Sequence, residues 1–150
     1  APFRDHKQSN YEGGIATPCI VSWPAVIHSG GGITHEVGHI IDVPATCLDG
    51  AGVEYPTEFQ DRRVQPLEGK SLAPLLRTGR RDGHESLCWS TAGHRAVRVG
   101  SWKLVAPPDG PWELYDLSTD RTELHDRAAE QPERVRSMAA IFDAWSKRKP

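Results

Sequence analysis

The chain has 150 residues, of which 37% are hydrophobic and 25% charged, and a formal net charge of -2. That is enough chain to bury a core without a metal or a disulfide framework. The near-neutral balance excludes a global field that would hold nucleic acid or an anionic membrane, and no apolar stretch approaches the roughly eighteen residues of a membrane span. Partners must therefore be read from local chemistry.

In chain order, the first signal is Lys7, standing four residues before Tyr11-Glu12-Gly13-Gly14. A lysine is a compact cation with three donors, and paired glycines let backbone pack close beside it. Residues 18–23 then form a short apolar run closed by Pro24, which predicts a fully buried strand. After the glycine-rich turn 29–32, Thr34 is placed to cap a helix running to about Asp49, with Val37, Ile40, Ile41, Cys47 and Leu48 apolar and Gly50 and Gly52 at its stop. Pro44 lies inside that pattern and predicts either a kink or a helix that starts only near it.

From residue 53 to 85 the composition turns polar and rich in Pro, Gly and Arg, an irregular connection with one short helical turn over 71–76. Arg77, Arg80 and Arg81 within it read as a solvated basic loop. The period then changes to two. Runs at 86–90, 95–99, 102–106 and 112–117, separated by turn residues, predict an antiparallel meander. Pro132 opens the last helix, in which Val135, Met138, Ala139, Phe142 and Trp145 recur at helical spacing, and Lys147, Arg148 and Lys149 fall at its C-terminal end, where the helix dipole favours cations. Trp102, Trp112, Tyr115 and Trp145 read as packing between sheet and helix. Cys19, Cys47 and Cys88, an odd number with no C-x-x-C pair, read as free buried thiols. Met138 is the one methionine, and the chain is expected to be a portion of a longer protein.

Two motifs compete for the chemistry. His35-Glu36-Val37-Gly38-His39 fits the H-E-x-x-H pattern, in which two histidines one helical turn apart hold Zn²⁺ and the glutamate activates water. The glycines immediately before it and Pro44 soon after oppose the continuous helix that such a zinc peptidase needs.

The other set is longer. Lys7 with Tyr11-Glu12-Gly13-Gly14 and Pro18 through Pro24 is followed by Asp42-Val43-Pro44-Ala45-Thr46 with Leu48, Ala51 and Gly52, then by Gly69-Lys70-Ser71-Leu72 with Pro74-Leu75-Leu76. Arg95 to Arg98 with Gly100, Trp102-Lys103-Leu104, and Glu113 to Leu117 with Asp120 and Glu123 complete it. In this shared order the chain resembles the C-terminal portion of the sulfatase (arylsulfatase-like) family. The resemblance implies an α/β, alkaline-phosphatase-like fold: residues 1–52 as the end of a large α/β domain, 53–85 as a connection, and 86–150 as a small subdomain with a four-stranded antiparallel sheet and a covering C-terminal helix.

It also implies hydrolysis of a sulfate ester by a formylglycine made from the first residue of a C/S-x-P-x-R motif, with Ca²⁺ and basic side chains neutralising the sulfate oxygens. Neither cofactor is expected to be bound by this chain. No cysteine has proline two residues on, Ser22-Trp23-Pro24 has Val26 where arginine is required, and the single asparagine, Asn10, follows Lys7 instead of preceding it in a metal-binding Asp-Asn pair. Lys7 alone carries over, as a cation contacting the sulfate, although Ala16 stands where family members commonly place arginine. Trp89 and His94 flank the first meander turn, a region that the resemblance brings near substrate. His94 is therefore a candidate substrate-binding residue, with a plain turn residue as the alternative.

The expected partners follow: a sulfated small molecule or glycan as substrate of the longer enzyme, the N-terminal catalytic portion, and further copies of the chain through exposed apolar surface, with no nucleic acid and no membrane. The chain alone is expected to be inactive. The alternative classes are a stand-alone, non-catalytic binding module and the zinc peptidase.

Overall fold

The computed structural model describes residues 2–28 and 30–148, so Ser29 of the glycine-rich turn and Lys149 of the basic end lie outside the described residues. Its elements are α1 (Glu12–Ile15), α2 (Asp42–Ala51), β1 (Glu58–Phe59), β2 (Arg62–Arg63), α3 (Ala73–Thr78), β3 (Leu87–Thr91), β4 (His94–Val99), β5 (Trp102–Ala106), β6 (Glu113–Asp116) and α4 (Pro132–Ser146). They fall into two compact units, one made of Ala1–Cys19 with Glu85–Pro150 and the other of Ile20–His84.

The first unit is built on an antiparallel sheet of order β3-β4-β5-β6. Its turns carry the residues that tight hairpins demand: Ala92 and Gly93 both take positive φ, 49° and 83°, and Gly100 takes 58° between β4 and β5. Register pairs Val97 with Leu104 and Leu104 with Leu114, a row of three side chains on one face. Against that row α4 lays Met138 and Phe142, with Val135, Ala139 and Trp145 alongside. The buried side chains among them, Val97, Leu104, Leu114, Met138 and Phe142, contribute about 1.5–3 kcal/mol each by leaving water. Arg134 of α4 stacks over the Trp102 ring at 4.3 Å and closes the edge.

Alternation sends the next residues to the opposite face. There Ala96, Val105, Tyr115 and Leu117 form a second cluster, whose cover is Tyr11 of the N-terminal segment. Tyr115 therefore does not pack under α4 with the tryptophans, as the sequence suggested; as the neighbour of Leu114 on β6 it must point the other way. The first nineteen residues thus serve as the second cover of the small sheet.

In the second unit the helix begins at Asp42, not at Thr34, and ends at Gly52 with φ 65°. Pro44 explains the start: in the first turn its missing N–H has no intrahelical partner to lose, while farther in it would break a bond. Thr34 instead accepts the Glu36 N–H locally. Gly50 makes room for Trp23, whose ring would lie 2.9 Å from an added Cβ. Residues 18–23 form no strand, and Ile20 is 94% exposed; a strand needs a neighbour to complete its ladder, and this run has none among the described residues.

Arg81 is the largest departure from expectation. Its side chain is 1% exposed and its guanidinium meets Asp42, 0% exposed, at 2.9 Å, besides donating to the carbonyls of Lys70 and Val37. The cysteines are free, as expected, but Cys19 and Cys47 are exposed and Cys88 is half-buried. Among the described residues no helix is long and apolar enough to cross a membrane.

Candidate functional site

Lys7 sits on an exposed turn closed by the Ser9 N–H to the His6 carbonyl at 3.2 Å. Two non-glycine residues beside it take left-handed conformations, Asp5 at φ 65° and Gln8 at φ 78°. Such positions cost about 1 kcal/mol or more each and persist only where surroundings hold them. The Ser9 hydroxyl does part of that holding: it accepts the Tyr11 N–H at 3.1 Å, and its bond to Asp5, aided by His6, keeps the Asp5 carboxyl below its ordinary range.

The rest is done by α1, which carries the turn backbone to backbone. Gly13 donates its N–H to the Arg4 carbonyl at 2.8 Å. A Cβ on Gly13 would lie 2.2 Å from the Asp5 oxygen, and one on Gly14 would lie 2.0 Å from the Ser9 oxygen. Only glycine permits this approach.

Anchors on the sheet fix both flanks. Arg4 donates to the Glu113 carboxylate at 2.9 Å and to the Tyr115 hydroxyl at 2.7 Å, and stacks over the Tyr11 ring at 4.2 Å. The same Glu113 oxygen accepts from Tyr11 and Tyr115, at 2.8 and 2.6 Å. Burial first, and then these bonds to Glu113, raise both phenols above their usual range. Asn10 donates to the Trp89 carbonyl at 3.2 Å. Below them lies a buried triad in which Lys103 Nζ is 2.8 Å from both Glu12 Oε1 and Glu123 Oε1, while Glu123 Oε2 accepts the Glu12 N–H at 2.6 Å.

The structure therefore displays Lys7 as an exposed cation with no hydrogen bond or ion pair among the described residues, on a turn that is itself tied down. His94 begins β4, half-buried and edge-on to Tyr11 with ring centroids 6.5 Å apart. Its Nδ1 is buried without a hydrogen-bond partner among the described residues. Both candidates lie in the first unit.

Sequence reasoning gave no individual role to Arg4, Glu12, Lys103, Glu113 or Glu123, and read Tyr115 as packing between sheet and helix. A signal existed for one: Lys103 shares the parity of Val105 within an apolar strand, and an inward lysine demands a buried carboxylate.

H-E-x-x-H fares differently. His35 and Glu36 are exposed and the segment before α2 is not helical, so the two rings are not stacked one turn apart. Burial lowers the affinity of His39 for a proton. Among the described residues no group of three or more His, Cys, Asp or Glu could hold a metal ion. Among the described residues, His35-Glu36-Val37-Gly38-His39 therefore does not have the helical geometry of a zinc centre.

A family model described as "N-sulphoglucosamine sulphohydrolase, C-terminal" matches residues 4–142. A sulfatase of Formosa agariphila is 31% identical over 148 residues, covering 88% of this chain and 26% of that protein. An uncharacterized sulfatase of Schizosaccharomyces pombe is 34% identical over 140 residues, covering 89% and 25%. Among solved structures, a chain whose title concerns metabolism of multiple glycosaminoglycans by Bacteroides thetaiotaomicron superposes with a TM-score of 0.73 at 23% identity, over 98% of this chain and 32% of that one. The chain thus spans about a quarter of the length of the curated relatives it matches.

Proposed function

Because the chain belongs to the sulfatase family as its C-terminal portion, we propose that it supplies the sulfate-contacting lysine, Lys7, to a longer enzyme that hydrolyses a sulfate ester. The observation that carries this is the exposed Lys7 ammonium on a turn held by Gly13 and Gly14. Its three donors suit a tetrahedral oxyanion, and a cation fixed before the reaction stabilises charge that grows on the ester and leaving oxygens. His94 is proposed to face the substrate beyond the sulfate. The name of the matching family supports a sulfated sugar as the substrate class.

The nucleophile and the metal belong, in this reading, to the N-terminal portion, so the chain alone is inactive. Incubating it with 4-nitrophenyl sulfate and calcium is expected to release no nitrophenol above background; steady turnover would refute the division of labour. In the longer enzyme, Lys7→Ala is expected to lower kcat/KM by roughly 100-fold, the scale of removing one oxyanion donor. An unchanged value would remove Lys7 from the sulfate.

A further inference from the structure

Resting on the reading of Lys7 as the sulfate contact, we propose that Lys103, Glu12 and Glu123 act as a buried positioning clamp that locks the Lys7 turn to the small sheet. All three side chains are out of water, at 0%, 4% and 0% exposure. The two carboxylates converge on one ammonium and Glu123 returns to the backbone of Glu12, so lysine, side chain and main chain close a ring. A set buried this deeply adds little stability over a well-packed apolar replacement; what it adds is direction, since the Lys103–Glu12 hydrogen bond and the Glu12 N–H to Glu123 bond fix one arrangement, in which Glu123 Oε1 meets the ammonium as an ion pair without a hydrogen bond of its own. Glu123 reaches that arrangement with φ 58°, a left-handed conformation held inside the protein.

The path to Lys7 is short and made of backbone. Lys103 stands in β5, an inner strand of the sheet. Glu12 is the first residue of α1. Gly13, next in line, holds the Arg4 carbonyl and touches Asp5, and Gly14 touches Ser9 and His6. A displacement of Glu12 therefore moves the carbonyls on both sides of Lys7. The pair of glycines leaves no side chain to absorb the shift.

Hydrogen exchange on the 150-residue chain tests the clamp without reference to activity. Lys103→Met is expected to release the amides of residues 9–15 by roughly 100-fold while those of β4 and β5 keep their protection. Should that variant fail to fold, Glu123→Gln, which removes one charge at constant volume, carries the same expectation. Uniform loss over the sheet, or unchanged protection at 9–15, overturns the proposal.

A double-mutant cycle in the longer enzyme then separates positioning from mere stability. Lys103→Met is expected to lower kcat/KM by roughly 10- to 100-fold, and to add nothing once Lys7 is alanine. Independent, multiplying effects overturn the clamp. If Lys7→Ala is itself silent, the sulfate reading has failed, and the exchange result alone decides whether the clamp exists.

Discussion

Asp42 has no exposed surface and yet keeps its charge. Burial opposes its ionisation, but the Lys70 N–H, His84, the His39 N–H and Arg81 outweigh that cost and hold its carboxyl down at about 2. The folded value lies below the unfolded value of 3.8, so the unfolded chain takes up the proton first. The stabilisation is therefore complete above the unfolded value and is lost as pH falls through about 2. It amounts to about 2 kcal/mol. Acid titration followed by exchange at residues 42–49 is expected to show this loss, and Asp42→Asn to flatten it; identical acid profiles for the two proteins would refute it. At this scale the sequence singles out Lys7 by its motif alone; that the residue is exposed comes from the structure, and its contact with sulfate is the proposal that Lys7→Ala tests. Arg81 was not legible: three arginines in a polar loop look solvated until Asp42, 39 positions away, is folded against one of them.

Among the helices, α1 is the shortest, and its two glycines leave it the least room. Gly13→Ala would drive a methyl into the Asp5 carbonyl, a backbone atom that cannot rotate aside. The expected result is loss of the docked turn, with thermal stability reduced by about 1–3 kcal/mol and with the sheet and α4 intact; near-UV circular dichroism and calorimetry would read both. A wild-type melting curve would argue against the close approach. The meander and α4 were legible because period and punctuation are local properties: Pro132 opens α4 and turn residues separate the strands. The helix start at Asp42 was given only as one of two outcomes, since the sequence shows a proline but not which side of it tertiary bonds will favour. The strand expected at 18–23 depended on a neighbouring strand, and none lies beside it among the described residues.

For the whole molecule, the two units differ in how much of their backbone is protected. Residues 51–63, which include the two-residue strands β1 and β2, are exposed throughout. Trypsin is expected to cut first at Arg62 or Arg63, ahead of any site in β3 to β6. The nicked pieces are expected to stay together on size exclusion, because residues 4–12 on one piece are bonded to Lys103, Glu113 and Glu123 on the other. Early cleavage within the sheet, or separation of the pieces, would contradict this. Joining of the first nineteen residues to the last sixty-six was not legible, since no local pattern reports a bond between Glu12 and Lys103 across 91 positions.

That separation has a consequence during synthesis. Glu12 leaves the ribosome many seconds before Lys103 is translated, at the usual rate of about 5–20 residues per second. The early segment must wait in solution, its carboxylate hydrated and its tyrosine uncovered, until β5 emerges. Docking of the early segment on the small sheet then waits on the meeting of residues 91 positions apart, a slower event than closing the sheet's own hairpins.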